Sequence, residues 1–290
     1  MMFDKIETIS KSLVQHGPNN DRVYLMKIHP EEKVENLVGR LYDLAILKRY
    51  TKIFVKVPAS IHPLFLDHDF KIEAAIPNLY QGVEQGYFLG KFFNAERGFL
   101  TKKEKKLIHE VKNSTSPTSN VSGYEMPAGY DIARLGEKDV PVIAGIYRQV
   151  FQFYPFPIFE EKYLQDAIHS HVQYYGVHYK GEIVAVSAAE MDVASSHVEM
   201  TDFATLPKYR GMNLSYFLLQ KMMLHMTDEG IQTAYTIARS TSFGMNKTFA
   251  RQGFHFGGTL VNNTLIGDTI ESMNVWYKNF KRWNYGKKEL

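Results

Sequence analysis

Hydrophobic positions between residues 130 and 280 follow helical and strand spacings in turn. Apolar residues at helical spacing predict a long amphipathic helix from Met212 to about Asp228. Strands are predicted over Tyr130–Leu135, Val172–Tyr179, Glu182–Met191, Val198–Thr205, Thr233–Ala238, Phe254–Val261 and Thr269–Tyr277, and further helices over Glu137–Phe151, Glu160–His169 and Ser242–Gln252. This order predicts a mixed α/β layer structure, with a meander in the middle and crossovers at the end.

A polar stretch, residues 113–123, interrupts the pattern. It consists mostly of Ser, Thr and Asn, which bury little apolar area, so it is typical of a linker or an exposed loop. We therefore expect a smaller amino-terminal α/β domain over residues 1–112, a second domain over residues 124–282 and a tail over residues 283–290. The expected fold class is α/β of the α+β type, with a mixed central sheet flanked by helices.

The amino-terminal region contains a stretch whose layout matches the end of the chain. Residues 53–57 predict a strand, residues 60–67 a short helix, and residues 76–82 and 87–92 two further strands. The same order closes the second domain. The stretch is either a degenerate copy of half of that domain or a chance similarity. A copy would have a structural or substrate-shaping role, because it lacks the basic turn described below.

Composition excludes several classes of chemistry. The chain has 290 residues, of which 44% are hydrophobic and 22% charged, as in a globular protein with a substantial core. It contains no cysteine, which excludes disulfides, zinc ribbons, iron–sulfur ligation and thiol nucleophiles and favours a reducing compartment.

Charge and hydropathy bear on partners and location. The net charge of +3 gives little attraction to nucleic acid or to anionic membranes. Residues 100–109 predict a short charged helix, which we interpret as a solvated face and not as a nucleic-acid patch. No apolar run reaches the roughly 18 residues of a membrane helix. We expect a cytoplasmic protein with neither nucleic acid nor membrane as a partner.

One segment, residues 199–215, runs from a strand through a basic turn into the long helix. The backbone N–H groups of Gly211 to Ser215 have no partners within a helix, and the helix dipole adds partial positive charge there. Lys208 and Arg210 add further charge, and glycine allows a ligand to approach closely. Such a turn suits a pyrophosphate; the alternative is an ordinary capped strand–helix turn.

In its context this turn resembles that of the GNAT superfamily of acyl-CoA-dependent N-acyltransferases, which implies a GNAT-like central sheet. The family pattern is Gln/Arg-x-x-Gly-x-Gly/Ala, and this chain has Lys208-x-x-Gly211-x-Asn213. The lysine keeps the charge, and Asn213 keeps a backbone N–H. Phe249 precedes Gly253 by four residues, where the family often has a tyrosine that protonates the departing thiolate.

Several blocks over roughly residues 124–282 are more specifically similar to beta-lysine N-acetyltransferases. They are Glu199–Thr205, Tyr235–Ser240, Gly244–Asn246, Asn262–Thr264 and Glu271–Lys278. The resemblance implies transfer of acetyl from acetyl-CoA to the ε-amine of beta-lysine, which gives the compatible solute N-epsilon-acetyl-beta-lysine. The alternatives are another primary amine, such as lysine, a polyamine or an aminoglycoside, and a non-catalytic acyl-CoA-binding regulator.

The resemblance also implies a site for acetyl-CoA as co-substrate. The pyrophosphate is expected on the basic turn and the pantetheine arm along the preceding strand, where an N–H near Phe203 or Ala204 meets the thioester oxygen. Asn246 is a candidate side-chain partner for the arm. The expected cofactor-binding residues are Phe203, Ala204, Thr205, Lys208, Arg210, Gly211, Met212, Asn213, Leu214, Ser215 and Asn246.

Attack of an amine on a thioester requires an alkylammonium group with a pKa of about 10.4 to lose a proton. Glu199 is the preferred base and Asp202 the alternate. Three residues apart on a strand, they point to opposite faces unless a bulge intervenes. The phenyl ring of Phe249 cannot donate a proton, so the thiolate takes one from a nearby hydroxyl or from water. The hydroxyl candidates are Ser242, Ser240 and Tyr235.

Beta-lysine carries two ammonium groups and one carboxylate, so its site needs both acids and donors. The candidate acids are Glu190, Asp192 and Glu271, and the candidate donors are Arg239, Asn262, Asn263 and Asn274. Arg239 is the preferred carboxylate clamp because its fork binds both oxygens. We expect no metal, since His169 and His171 lack a third ligand at workable spacing. The oligomeric state stays open, with a homodimer as one option.

Overall fold

The computed structural model describes residues 4–114 and 124–280, and the strands in these ranges form one mixed sheet. The strands are β1 (Lys5–Ile9), β2 (Ser12–Gly17), β3 (Arg22–Lys27), β4 (Lys52–Pro58), β5 (Lys71–Tyr80), β6 (Glu84–Phe92), β7 (Tyr130–Leu135), β8 (Val172–Tyr179), β9 (Glu182–Asp192), β10 (His197–Thr205), β11 (Thr233–Arg239), β12 (His255–Ile266) and β13 (Thr269–Asn279). The helices are α1 (Val34–Lys48), α2 (His62–Leu66), α3 (Lys102–Ser114), α4 (Val140–Val150), α5 (Glu161–Ser170), α6 (Leu214–Asp228) and α7 (Phe243–Arg251). The expected mixed α/β sheet flanked by helices is confirmed.

Most elements after residue 124 have the predicted bounds to within one or two residues. β7 and β8 coincide with the predicted strands, and α6 begins two residues after the predicted Met212. The main difference is β12, which continues past the predicted end at Val261 to Ile266. The extra residues form a hairpin with β13, because Ile266 pairs with Thr269 around a two-residue turn in which Gly267 has φ 64°.

Helix α3 extends into the predicted linker. Its residues 113 and 114 are helical, whereas residues 115–123 and the predicted tail 283–290 lie outside the described residues. One side of α3 is not solvated, since Ile108 and Val111 are buried and the helix packs against α7. The domain boundaries remain a prediction, because the sheet continues through both predicted domains.

The strand order in the sheet is β1-β2-β3-β4-β6-β5-β12-β13-β11-β10-β9-β8-β7. The pairs β3–β4 and β10–β11 are parallel, and the other pairs are antiparallel. The order reads almost the same from either end when β1–β6 are matched to β8–β13. We call β1–β6 with α1 and α2 the amino-terminal repeat, and β8–β13 with α6 and α7 the carboxyl-terminal repeat.

Shifts in strand register occur at matching positions of the two repeats, so the repeats can be aligned residue by residue. β5 shifts its register against β6 after Ile72 and again after Ile76. β12 shifts against β13 after Phe256 and again after Leu260, at the same spacing. The copy is therefore longer than the predicted half, since the matching order extends back through β3, α1 and β4 to β1.

The helices of the two repeats cover equivalent faces of their strands. Val23 and Leu25 of β3 pack in the cluster under α1, and Val198 and Met200 of β10 pack in the cluster under α6. The intervening residues on both strands therefore point to the opposite face, which carries neither α1 nor α6. No helix in the described ranges is long and apolar enough to cross a membrane.

This opposite face, on which α4 and α5 pack against β8–β10, is strongly concave. β4 and β11 are separated by four strands, which would place them roughly 24 Å apart in a flat sheet. Nevertheless, the Lys56 ammonium on β4 donates a hydrogen bond to the Tyr235 hydroxyl on β11 over 3.1 Å. The sheet must curl to bring these strands together, so the two repeats face each other across a shared space.

The repeats are joined where β5 meets β12 at Gly258. Gly258 pairs with Ala74, its own counterpart in the amino-terminal repeat. Its φ is 150°, and a Cβ atom there would lie 2.2 Å from the Glu73 carbonyl oxygen and 2.5 Å from the Ala74 Cα. Two backbones approach so closely at this point that one of the equivalent positions must be glycine.

We predict that Gly258→Ala lowers the free energy of unfolding by about 3 kcal/mol, because the methyl group meets backbone atoms that cannot move aside. Thermal denaturation measures this as a fall in Tm. The matched control is Gly39→Ala, at an exposed position within α1 with no heavy atom within 4 Å of the added Cβ. This change should raise stability by about 0.5–1 kcal/mol. Equal effects of the two substitutions would contradict the close approach.

Candidate active site

The strands β10 and β11 separate shortly after they pair. Their parallel register covers only His197 to Glu199 of β10, and the last pair is Glu199 opposite Tyr235. Beyond it, β10 stays with β9 as far as Thr205, and β11 stays with β13 as far as Arg239. The facing edges of β10 and β11 are therefore not paired with each other, and a wedge opens between them that an extended ligand can enter.

The predicted anion-binding turn lies where β10 leads into α6. A 3₁₀ turn over Pro207–Tyr209 follows β10, and then Gly211 (φ 83°) and Asn213 (φ 56°) bring the chain into the helix. In the part of the chain that the structure describes, no backbone carbonyl accepts from the amides of residues 211–215. Residues 210–213 are exposed, so these amides and the positive end of the α6 dipole are open to an anion.

The basic side chains of the turn frame the same site. Arg210 Nε donates to the Thr205 carbonyl oxygen over 3.3 Å, and the Lys208 ammonium lies 5.6 Å from the centroid of the Tyr209 ring. Both side chains remain exposed. The structure thus brings the predicted residues 203–205, 208 and 210–215 together along one path from the wedge to the helix start.

A bulge in β10 changes the direction of Asp202. The register against β9 shifts between Thr201 and Ala204, and Asp202 has φ 56°. The Asp202 carboxylate accepts hydrogen bonds from the Thr201 hydroxyl, over 3.1 Å, and from the Tyr154 hydroxyl. Asp202 and Glu199 therefore lie on the same side of the sheet, as the sequence allowed only for a bulged strand.

A cavity of about 970 Å³ occupies the concave side of the sheet. It is lined by residues of both repeats and by Tyr154 and Pro155 of the segment between α4 and α5. That segment also reaches the amino-terminal repeat, since Gln15 Nε2 donates to the Pro155 carbonyl oxygen over 3.0 Å. The cavity is thus closed on one side by a connection that exists only in the second half of the chain.

Equivalent positions of the two repeats face each other across this cavity. The register shifts of β5 and β12 match, so the strand pairings that follow from them can be compared between the repeats. In this comparison Tyr24 has the position of Glu199, and Phe54 has that of Tyr235. Five such pairs line the cavity: Arg22 and His197, Tyr24 and Glu199, Met26 and Thr201, Phe54 and Tyr235, Lys56 and Ile237. The cavity therefore lies between equivalent strands of the two repeats, and its two walls carry different side chains.

Three carboxylates meet at the carboxyl-terminal wall. Glu190 is the cross-strand neighbour of Glu199. Burial raises the pKa of Glu190 well above its usual range, and the charges of Glu199 and Asp202 raise it further. Burial likewise raises the pKa of Glu199, and it raises the pKa of Asp202 to about 6 against the opposing effect of its hydrogen bonds. These groups hold protons more strongly than ordinary carboxylates, which suits proton transfer near neutral pH.

Lys56 from the amino-terminal repeat joins this cluster. Its ammonium donates to the Tyr235 hydroxyl, which is hydrogen-bonded to Glu199. Burial lowers the pKa of Lys56, while the charge of Glu199 opposes that change. A connected path for protons therefore runs from Lys56 through Tyr235 to Glu199. Lys56 is not among the predicted site residues, although a lysine inside the apolar strand 53–57 is a usable signal.

Asn246 lies in a network of buried hydrogen bonds. Its side chain is fully buried, and its amide nitrogen donates to the carbonyl oxygens of Arg239 and Ser242 over 2.9 and 2.7 Å. Its oxygen accepts from Asn274 Nδ2 and Trp276 Nε1 over 2.9 and 2.7 Å. Because every hydrogen-bonding position of its side chain is occupied, Asn246 ties α7 to β11 and β13, and its predicted contact with pantetheine stays a prediction.

Several predicted substrate and catalytic residues lie outside the cavity lining. Arg239, the predicted carboxylate clamp, makes a bidentate ion pair with the predicted acid Glu271 over 2.6 and 3.0 Å. The Asn262 amide donates to the carbonyl oxygens of Arg97 and Phe99, away from the cavity. Ser242 stands at the start of α7.

Three other predicted residues do line the cavity. They are Glu190, Asp192 and Asn263. Asp192 is ion-paired with Lys27 over 2.8 Å, which reduces its availability for a substrate ammonium. Phe249, at the position where the family often has a tyrosine, is buried. Its ring centroid lies 5.6 Å from that of Phe203.

The histidines 169 and 171 contact separate groups. His169 bonds to Glu137, and His171 Nδ1 lies 2.7 Å from the Ser170 hydroxyl. Across residues 4–114 and 124–280, no three His, Asp or Glu side chains are grouped as metal ligands.

Comparison with known proteins places this geometry in context. The model of the acetyltransferase (GNAT) family matches residues 142–254. Beta-lysine N(6)-acetyltransferase of Methanococcus maripaludis is 35% identical over 279 residues, covering 95% of this chain and 99% of that protein. The enzyme of the same name from Methanosarcina mazei is 33% identical, with coverages of 94% and 96%. The similarity to these relatives spans both repeats.

Among solved structures, ribosomal-protein-S18-alanine N-acetyltransferase of Escherichia coli has a TM-score of 0.48 and 16% identity with this chain. It matches over 56% of this chain and 99% of its own length.

We predict that Asn246→Ala lowers the free energy of unfolding by about 3 kcal/mol, because it leaves the buried N–H groups of Asn274 and Trp276 without acceptors. Chemical denaturation measures the loss. Ser242→Ala, one turn away, is the matched control, since the Ser242 side chain makes no capping hydrogen bond. It should change stability by no more than about 0.5 kcal/mol. A stable Asn246→Ala protein would contradict the structural role of this amide.

Proposed function

The chain belongs to the acetyltransferase (GNAT) family, and we propose that it transfers the acetyl group of acetyl-CoA to the ε-amine of beta-lysine. The product is N-epsilon-acetyl-beta-lysine. Two relatives named beta-lysine N(6)-acetyltransferase align with nearly the whole chain. One observation carries the proposal: Glu199 and Tyr235, the last pair before β10 and β11 separate, both line a cavity with clustered carboxylates.

Acetyl-CoA is the co-substrate of this family and supplies an acetyl thioester. We assign its pyrophosphate to the free amides of residues 211–215, with Lys208 and Arg210 as further positive charges. The wedge leaves the edge of β10 at residues 203–205 open for the extended pantetheine arm. An arm lying there would bring the thioester to the vertex of the wedge, next to Glu199 and Tyr235.

The residues at the vertex divide the proton transfers between them. Glu199 accepts a proton from the substrate ammonium, and the neutral amine then forms a C–N bond at the thioester carbon. The C–S bond breaks, the departing sulfur takes a proton from the Tyr235 hydroxyl, and the new amide nitrogen releases its remaining extra proton to water. Lys56 replaces that proton through its hydrogen bond to Tyr235. Tyr235 thus supplies the phenol that Phe249 lacks.

The electrostatics of the cavity suit a small dicationic acceptor. Glu190, Glu199 and Asp202 place negative charge where a primary amine must lie to reach the thioester. The cavity also contains cations from the amino-terminal repeat, which favour an acceptor that carries an anionic group. The absence of cysteine accords with a reducing compartment, and we place the reaction in the cytoplasm.

An amine panel tests the proposed acceptor. With acetyl-CoA in excess, thiol release is measured for beta-lysine, lysine, spermidine and an aminoglycoside. We expect kcat/KM for beta-lysine to exceed that for the others by at least about tenfold, because uncompensated groups in the wrong substrate cost binding energy. Equal or faster turnover of lysine or spermidine would show that the acceptor has been assigned incorrectly.

Substitutions around Glu199 should move the pH dependence in opposite directions. Glu199 must be ionised to act as a base, so kcat/KM rises with pH through its pKa. The charge of Asp202 raises that pKa and the charge of Lys56 lowers it. Asp202→Asn should therefore move the rising limb to lower pH, and Lys56→Met should move it to higher pH. Glu199→Gln should lower kcat about 100-fold or more with little change in the Kd of acetyl-CoA.

The pH profile of Glu31→Gln is the control, since Glu31 is an exposed carboxylate paired with Lys11 over 2.7 Å. Its rising limb should stay where it is in the unmodified enzyme. Shifts of the same sign in Asp202→Asn and Lys56→Met would be incompatible with Glu199 as the titrating base.

A further inference from the structure

Arg22 is a buried cation in the cavity wall. It lies on β3 and lines the cavity, and the residue as a whole is only 4% exposed. Two other buried cations nearby have carboxylate partners, Lys52 with Glu73 over 2.8 Å and Arg97 with Asp21 over 2.9 Å. Among the described residues, no carboxylate lies within ion-pair distance of Arg22. Burying a guanidinium without a counter-charge is costly, which indicates that its anion comes from outside the chain.

The contacts of Arg22 hold it in place and leave one edge of the guanidinium without a close hydrogen-bond partner. Nη1 donates to the Asn263 carbonyl oxygen and, over 3.2 Å, to the Thr264 hydroxyl. Nη2 reaches Gln15 Oε1 only at 3.5 Å, and Nε has no hydrogen-bond partner. The guanidinium carbon lies 5.3 and 5.5 Å from the centroids of the Tyr24 and Phe54 rings. The Nε–Nη2 edge is one through which a guanidinium binds both oxygens of a carboxylate.

A second unpartnered atom belongs to Asn263, whose carbonyl oxygen accepts from Arg22. Asn263 is 1% exposed and lines the cavity, and its Oδ1 atom has no hydrogen-bond partner. An arginine side chain donates to a carboxylate, and the oxygen of an amide side chain accepts from an ammonium group. An acid with an amino group close to its carboxylate fits this combination.

We propose that Arg22 and Asn263 form a subsite for the carboxylate end of the acceptor, so that the amino-terminal repeat selects an amino acid over a simple diamine. The proposal rests on the proposed function, because it takes the reacting amine to lie at Glu199. Arg22 is two residues from Tyr24, the counterpart of Glu199 on the facing wall. The carboxylate and the reacting amine of a short diamino acid would then occupy opposite ends of one cavity.

The test compares acceptors that differ only in the carboxylate. The pairs are beta-lysine with 1,4-diaminopentane, lysine with 1,5-diaminopentane, and ornithine with 1,4-diaminobutane. For the pair that the enzyme acetylates best, the unmodified enzyme should prefer the amino acid. Arg22→Met should raise KM for the amino acid roughly 10- to 100-fold, the range for a lost charge-assisted pair, and leave KM for the diamine unchanged or lower.

A purely structural role for Arg22 predicts a different outcome. Thr264→Val removes a contact that holds Arg22 but not the guanidinium itself, so it is the matched control and should keep the preference for the amino acid. Arg22→Lys keeps the charge without the fork and should lose part of the preference. It also serves as the second variant if Arg22→Met does not fold. Equal losses for the amino acid and the diamine in both Arg22 variants would overturn the subsite.

Failure of the subsite and failure of the proposed function give different results. If lysine is acetylated and beta-lysine is not, the assigned acceptor is wrong, whereas an Arg22-dependent preference for lysine over 1,5-diaminopentane still supports the subsite. If diamines are acetylated as well as amino acids by the unmodified enzyme, the subsite is wrong and the acetyltransferase assignment stands. If no amine is acetylated, calorimetry with beta-lysine decides, and absence of Arg22-dependent binding overturns the subsite.

Discussion

The contact between β5 and β12 determines the rest of the structure. At Gly258 and Ala74 two sheet edges come together so closely that a side chain at the glycine would overlap backbone atoms. This contact turns two smaller sheets into one sheet with a concave face. The cavity exists because that face is curled, and Lys56 reaches Tyr235 for the same reason. A side chain that pushed the two backbones apart at this point would move the two walls of the site away from each other.

The two repeats use equivalent backbone positions for different chemistry. Where the carboxyl-terminal wall has Glu199 and Tyr235, the facing wall has Tyr24 and Phe54. The amino-terminal copy has lost the acid, but it contributes cations at neighbouring positions of the same strands. One wall therefore carries the clustered carboxylates and the other carries cations, and the similarity to the two relatives spans both repeats.

Local patterns were sufficient to predict most elements and the exposed turn at the start of α6, because periodicity and helix-start chemistry are properties of short segments. The bulge that turns Asp202 toward Glu199 could be stated only as a condition, since a positive φ at an aspartate leaves no clear trace in sequence. The hydrogen bonds of Asn246 and the ion pair of Arg239 could not be predicted, because partners such as Asn274, Trp276 and Glu271 are distant in sequence. Arg22 was missed for the same reason: its contact with Asn263 spans 241 residues.

That long sequence separation also affects how the protein is made. The amino-terminal repeat leaves the ribosome first, and the edge of β5 remains unpaired until β12 has been synthesised. During this interval an open strand edge is exposed to other nascent chains. Loop-closure entropy makes such distant pairing slow, which prolongs this interval. A chain truncated before β12 would have no acceptor pocket, however well its first repeat had folded.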